Sequence, residues 1–503
     1  MKPVLDRRAF LGTMAGSIAS GLVAGCADFE RAVDPRTALP IASLDASLGS
    51  KEASTTARVL GRATFGADGS PWPVDGSGLE RWIRDQCAAP VEIPGPMALL
   101  KGTETWGLRW RLNSLESLRI GEGWNAFGRT IVPPSTGYDL RDVAQSEILR
   151  ELEKAAFLRA AYSRWQLRER LADFWSDHFN IYARKVVVGR ERRQADVELL
   201  YLLPADRERV VRRNVFGPFE RMLAASMRSA AMLGYLDNHV NRKGVPNENY
   251  ARELMELHSL GVDGGYTQRD VREVARCLTG WTIEDRFGQR CGAVRFAPEM
   301  HDDGEKFVLG TRIPPGGGSR DADQVLALLV AHPATPRFVA RKLVARFHGP
   351  GGEVDAVRAS VEEAFRRSSG DLAETVRALF VHPEFARDSP VFKRPFDYVV
   401  SAVRASGAVS DGDRGIQEHL EAMGQPLHQW PMPDGYPIET DAWATNLLPR
   451  WNFAADLASN RIPGTRVDTA MAARRLARWN PVGGANAAEK VALALSDPDF
   501  QWT

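Results

Sequence analysis

From residue 57 onward, apolar residues return every three or four positions in one segment after another, the spacing that gives an α-helix a single buried stripe. The pattern predicts helices over 57–65, 78–87, 146–178, 191–202, 207–231, 249–260, 268–279, 321–332, 336–347 and 354–368, with two more over 372–382 and 396–406. Alternation of the kind a half-buried strand needs is confined to 293–296 and 307–309. The expected fold class is mainly α: a multi-helix globular body with a few short strands or hairpins.

Several helix ends are legible. Thr267 with Asp270 three residues on has the form of a capping box, and Gly280 is suited to a left-handed stop. Thr335 before Pro336 reads as cap and first helical residue, with Gly349 closing that helix. Two helices run into His-Pro, at His332-Pro333 and His382-Pro383, where an imidazole can meet the last carbonyls of a helix. A capping role is therefore assigned to these two histidines.

The N-terminus has a different pattern. Arg7 and Arg8 precede a run of small and apolar residues ending in Val23-Ala24-Gly25-Cys26. This resembles a twin-arginine export signal followed by a lipobox, with Cys26 as the lipidation site. Residues 27–50 mix Pro, Ser, Asp and Ala without a period, as a tether would. The expected organisation is a signal over 1–26, a flexible tether over 27–54 and one helical domain over 55–503, with a Trp- and Pro-rich subregion over 425–460. The expected location is periplasmic or cell-surface, with the membrane as partner through the lipid.

Composition narrows the classes further. The 65 basic and 64 acidic side chains nearly cancel, which argues against nucleic acid as a partner. No second apolar run is long enough to cross a bilayer. If Cys26 carries lipid, Cys87, Cys277 and Cys291 remain, without zinc spacing and with at most one disulfide among them.

Chemistry-bearing residues concentrate in three places. On the helix beginning at Asn249, Glu253 and Glu256 share a stripe with Asn249, beside an apolar stripe of Tyr250, Leu254 and Leu257. Two carboxylates so placed suit metal binding or acid–base work, and equally a salt-bridged face with Arg252. His178 projects from the apolar side of its helix just before Asn180, Arg184 and Lys185. A core hydrogen bond and a pocket edge are both open to it. The stretch His301-Asp302-Asp303-Gly304-Glu305-Lys306 reads either as a turn or as a set of metal ligands and charge-tuned groups. The stretch from Asp263 to Asp270 has only the second half of a calcium loop, and a helix-turn-helix corner explains it as well. Trp430, Tyr436, Trp443 and Trp451 suit a packed, loop-rich lid better than a sugar-stacking face.

Taken in order, FWSDHFNIYARK, the block 247–281, HDDGEKFVLG, RFVARKLVARF and GQPLHQWPMPDGYP with RWNFA resemble the bacterial family catalogued as domain of unknown function 1800. The resemblance covers nearly all of the chain after the lipobox. It implies an exported, mostly helical protein, encoded in many cases beside another exported family similar to sulfatases, which makes such a protein the expected partner. Family-typical residues here are His178, Asn247, Asn249, Glu253, Glu256, Trp281, His301, Asp302 and Lys306.

The leading expectation is a polar pocket that joins His178, Glu253, Glu256, His301 and Asp302 as catalytic residues. A divalent metal would sit on His178, Glu253 and His301, and Arg184, Asn247, Asn249, Trp281 and Lys306 would contact substrate. Hydrolysis of a cell-envelope or extracellular substrate is the reaction expected. The alternative is a non-enzymatic binding or assembly protein in which the same polar residues knit helices together.

Overall fold

A computed structural model describes residues 51–66, 76–88, 145–187, 197–283, 294–349, 354–385, 390–479 and 486–503. The expected signal, the Cys26 lipidation site, the tether through residue 50 and Cys291 lie outside them. The described residues form 19 α-helices and four two-stranded antiparallel ladders, so the fold is mainly α.

The chain opens with α1 (Lys51–Ala63), α2 (Gly76–Cys87), α3 (Gln145–Tyr162) and α4 (Gln166–His178). After the ladder β1 (Val186–Val187) with β2 (Val197–Glu198) come α5 (Leu199–Asp206), α6 (Phe219–Met227), α7 (Ala230–Tyr235), α8 (Asn249–Glu256) and α9 (Gln268–Cys277). Two ladders follow: β3 (Trp281–Ile283) pairs with β4 (Val294–Phe296), and β5 (Lys306–Val308) with β6 (Thr311–Ile313). Both of the segments expected as strands thus take part in one. The run α10 (Arg320–Ala331), α11 (Ala334–Phe347), α12 (Val354–Arg367) and α13 (Leu372–Val381) packs successively. The last part holds α14 (Pro395–Ser406), α15 (Arg414–Ala422), α16 (Thr440–Ala444), α17 (Leu448–Ala458), α18 (Thr469–Arg475) and α19 (Ala487–Ser496), with β7 (Val409–Ser410) against β8 (Thr465–Arg466).

Two apolar clusters result. The larger draws on α1, α2 and α4 to α13, with Trp175, Phe219 and Phe347 fully buried in it. The smaller is built by Phe157 and Leu158 of α3 with α14, α15 and α17 to α19. Removing any one of those large aromatic side chains would cost about 3–5 kcal/mol. Between the clusters runs a buried ion network. Arg170 and Arg346 both reach Asp397, Arg346 also takes Asp173 at 3.1 Å, and Arg394 takes Asp173 at 2.6 Å and Asp177 at 2.5 Å. Each charge in it faces an opposite one, which is the condition for burying ions at tolerable cost.

The structure revises several boundaries. Residues 51–54, expected in the tether, already belong to α1. The single helix expected over 146–178 is two, because Ser163 Oγ accepts from Trp165 N and the Gln166 amide donates to Ala160 O and Ser163 O, closing α3 one turn before α4 begins. The segment 207–231 starts as a π-turn, Arg207–Arg212, and breaks at Gly217-Pro218, where the ring has no N–H to continue a helix. The capping box at Thr267 and Asp270 forms as expected, with Gly280 at φ 85°. Helix α11 begins two residues earlier than expected, and Thr335 Oγ1 donates to Leu329 O instead of capping. His332 and His382 play local structural roles, but in reverse: each Nδ1 accepts a backbone N–H, from Ala334 and Glu384, instead of donating to a helix carbonyl.

Candidate functional site

The residues expected to share one pocket fall into separate groups, each set by its own neighbours. His178 is 1 % exposed and packs among Phe174, Trp175, Phe179, Phe219 and Phe338. Its Nε2 stands 3.2 Å from the His258 carbonyl, which can only accept, so Nε2 carries the hydrogen and Nδ1 is left as a bare lone pair. Among the described residues Nδ1 has no hydrogen-bond partner, nor does either ring nitrogen of His258, whose centroid lies 6.0 Å away. Burial keeps both imidazoles neutral, pulling His258 down to about 3 and His178 well below its ordinary value.

A second group forms behind the hairpins. His301 directs Nδ1 at Thr279 O, 2.8 Å, and Nε2 at Asp321 Oδ2, 3.3 Å. Lys306 donates to the same Asp321 oxygen at 2.6 Å and to Gly304 O at 2.9 Å, and both Lys306 and Asp321 are fully buried. Asp302 is bound by Arg276 at 2.8 and 3.2 Å, and these bonds hold its carboxyl below the usual range. Trp281 packs on Phe296, with the Arg228 guanidinium over its ring. Of these four expected site residues, His301 and Lys306 meet at Asp321, while Asp302 adjoins them through Thr279 and Trp281 through Phe296. Among the described residues, no group of three or more His, Cys, Asp or Glu is placed to hold a metal. Of the expected ligand set of His178, Glu253 and His301, the two imidazoles each point to different local oxygens, His258 O for the first and Thr279 O with Asp321 for the second.

Asn247 and Asn249 belong to the entry of α8. Asn247 Oδ1 accepts from Asn249 N, and the two amides donate to Asp237 O and Leu236 O. Arg184 donates to Gln429 Oε1. These three of the five residues expected to contact substrate are thus engaged in holding loops.

Glu253 is different. Its partner on the stripe, Glu256, takes Arg252 at 3.2 Å, whereas the Glu253 carboxyl has no hydrogen bond or ion pair among the described residues. Burial, then Glu256 and Asp434, raise its carboxyl above the ordinary range. Asp434 comes from the loop 425–437 and also lies within electrostatic reach of Lys342 on α11 and Tyr235 on α7. Lys342 is half-buried, touches the Phe338 ring at 5.7 Å and likewise makes no hydrogen bond or ion pair among the described residues. Burial pulls its amine down to about 8, with Asp177 and Asp434 partly opposing the shift.

Four of the five sequence blocks therefore meet: Asp177 and His178 from the first, Glu253 and His258 from the second, Lys342 from the fourth and Asp434 from the fifth. Tertiary packing enforces the meeting. Gly435, at φ 82°, brings the loop so close to α4 that a Cβ there would stand 2.3 Å from Asp177 O. Asn180 Nδ2 fastens the loop through Trp430 O, 2.9 Å, and Met432 O, 2.6 Å, and Tyr235 Oη does so through Pro431 O. Asp434 is exposed, so the group opens to solvent. An amine and a carboxyl, each shifted toward neutrality and each within electrostatic reach of Asp434, meet an electrostatic condition for proton exchange with a bound substrate.

Sequence reading missed Lys342, Asp434, Asp177, His258 and Asp321. Lys342 lies in a run of Arg and Lys on a helix that otherwise reads as surface, and Asp434 in an apparent turn. Only the blocks containing them were a signal. Cys277 is a buried free thiol, pushed up to about 12 by burial, which removes it from consideration as a nucleophile. No curated protein and no solved structure matches the chain. The family described as protein of unknown function (DUF1800) matches residues 58–502, most of the chain, and the protein belongs to that family.

Proposed function

We propose that this is an exported lipoprotein, held at a membrane through Cys26, that uses Glu253 and Lys342 for acid–base hydrolysis of a cell-envelope or extracellular substrate. The observation that carries the reading is the position of Asp434, felt by both Glu253 and Lys342, two ionisable side chains without fixed partners among the described residues and both displaced toward their neutral forms. With an amine near 8, about a tenth of Lys342 is neutral at pH 7 and able to take a proton from water or a hydroxyl. Glu253, raised above its usual range, is suited to return a proton to the leaving group. Asp434 orients the ammonium that forms on Lys342. The His178–His258 pair lies behind this group as a neutral wall and the Asp321 centre acts at a distance as scaffold.

The test is a hydrolysis screen of the exported protein on chromogenic esters, amides, glycosides, phosphate esters and sulfate esters. Lys342→Met and Glu253→Gln are each expected to lower kcat/KM at least 10²-fold, roughly the worth of a general acid or base, with little change in unfolding midpoint. Turnover that survives both substitutions, or none in any class, overturns the acid–base reading in favour of a binding protein. Export is tested separately: Cys26→Ser should move the protein from the membrane to the soluble fraction.

A further inference from the structure

Against α4, lined in part by Asp173, Ser176 and Asp177, lies a partly enclosed cavity of about 100 Å³, several times the roughly 10–15 Å³ that one water needs. We propose that it is a second binding site, for a small uncharged ligand with one hydrogen-bonding end and one apolar end. This proposal does not rest on the hydrolytic reading.

The walls decide the ligand's chemistry. One is largely apolar, formed by Leu152, Ala155, Ala156 and Ala160 of α3 with Leu427, and the Arg159 that also lines it acts on Glu169 across the cavity. The opposite wall is polar but already neutralised. Glu169 takes Arg212 in two bonds of 2.7 and 2.9 Å, and Asp173 and Asp177 share Arg394. Arg207 gives its two terminal nitrogens to Ser176 O and Phe179 O, each at 3.1 Å. An ionic ligand would find no counter-charge there without breaking a buried pair, at a cost that disfavours it.

What the lining leaves open is His428. Its backbone takes the left-handed conformation, φ 61°, which few side chains other than glycine adopt without cost, and its carbonyl accepts from Ala183 N at 3.0 Å, fixing it there. The imidazole lines the cavity and makes no hydrogen bond among the described residues. Burial and nearby Arg207 pull it down to about 3, so it is neutral and presents one donor and one acceptor. A strained backbone that delivers an unpartnered ring to a half-apolar cavity is spent on recognition, not on packing. Six residues on, the same loop presents Asp434 to the acid–base group, so a ligand at His428 would sit on the segment that positions that carboxylate.

Butanamide and 1-butanol, with butyrate and butylammonium as charged controls, test this by saturation-transfer NMR and titration on the full chain. The neutral probes should bind with Kd of about 1–10 mM, the range open to ligands of this size, and the charged ones at least 10-fold more weakly. His428→Asn keeps a residue that tolerates the left-handed backbone but removes the ring, and Ala156→Leu fills the cavity from α3. Each should weaken butanamide 10-fold or more while leaving the circular dichroism spectrum unchanged, and the two substitutions lie on different elements, so misfolding of one leaves the other to report. Absence of neutral-probe binding, equal binding of the charged probes, or indifference to both substitutions would show a site for solvent only and overturn the proposal.

Discussion

Two lysines from two sequence blocks, Lys306 and Lys342, were given opposite tasks by the fold. Lys306 is fully buried and closed: its ammonium donates to Asp321 and Gly304 O, and His301 completes the carboxylate's surroundings. Lys342 is half-buried and open, with two carboxylates near enough to be felt and neither near enough to bind it. Ionisable residues of the same kind thus serve as a fastener where geometry satisfies them and as a reactive group where it does not. By motif alone the Lys306 block looks more like a site, with five ionisable groups in six residues. Its groups are satisfied chiefly from outside the block, by Asp321, Arg276, Thr279 and Arg312.

The contrast can be broken most sharply at Asp321. Asp321→Ala would leave Lys306 as a buried, unpaired cation and is expected to cost about 3–5 kcal/mol in urea unfolding. Lys342→Met breaks no pair and should stay within about 1 kcal/mol of wild type. Equal losses in the two variants would erase the distinction. Next in size is Gly435→Ala. Its Cβ would meet the Asp177 carbonyl and its φ of 82° would be strained, for about 2–3 kcal/mol and displacement of Asp434. The hydrolytic activity should fall with the stability if Asp434 belongs to the site.

A subtler difference is one of pH. Unfolded lysine holds its proton to about 10.4, whereas folded Lys342 releases it near 8. Between these values the unfolded state binds more protons, so wild type gains stability as pH rises, while below 8 the cost of the buried charge is constant. The stability of wild type relative to Lys342→Met should therefore improve by about 1–2 kcal/mol between pH 7.5 and 10, measured by unfolding at both ends. A flat difference would place the Lys342 amine at its ordinary value. The smallest effect belongs to the rim of the closed centre. Asp302→Asn weakens a partly exposed pair with Arg276 and should cost about 1 kcal/mol or less, lost in high salt.

Helical periodicity made most of the first 400 residues legible, because each long amphipathic segment carries its burial pattern locally. It did less well at 146–178 and 207–231, where one apolar stripe runs through a break. There Ser163 and Gln166, or Gly217 and Pro218, end a helix by hydrogen bonds that periodicity does not record. Helices α15 to α19 escaped notice for a related reason. They are short, from 5 to 11 residues, which leaves too few turns for a helical period to declare itself. For the candidate site, the acidic stripe of α8 was visible and Glu253 stayed in it. His178 and His301 were visible too, yet each is satisfied or enclosed by groups such as His258 O and Asp321 that no spacing rule connects to them.

The sequence by itself determined the mainly helical fold, its caps and hairpins, and the family, since these depend on residues near one another along the chain. Which titratable groups would be paired and which left open was decided only when distant segments packed. Asp177, Glu253, Lys342 and Asp434 are separated by some 76 to 92 residues at each step along the chain. Their ionisation is set by desolvation and by neighbours that the fold supplies, and neither quantity exists in an extended chain.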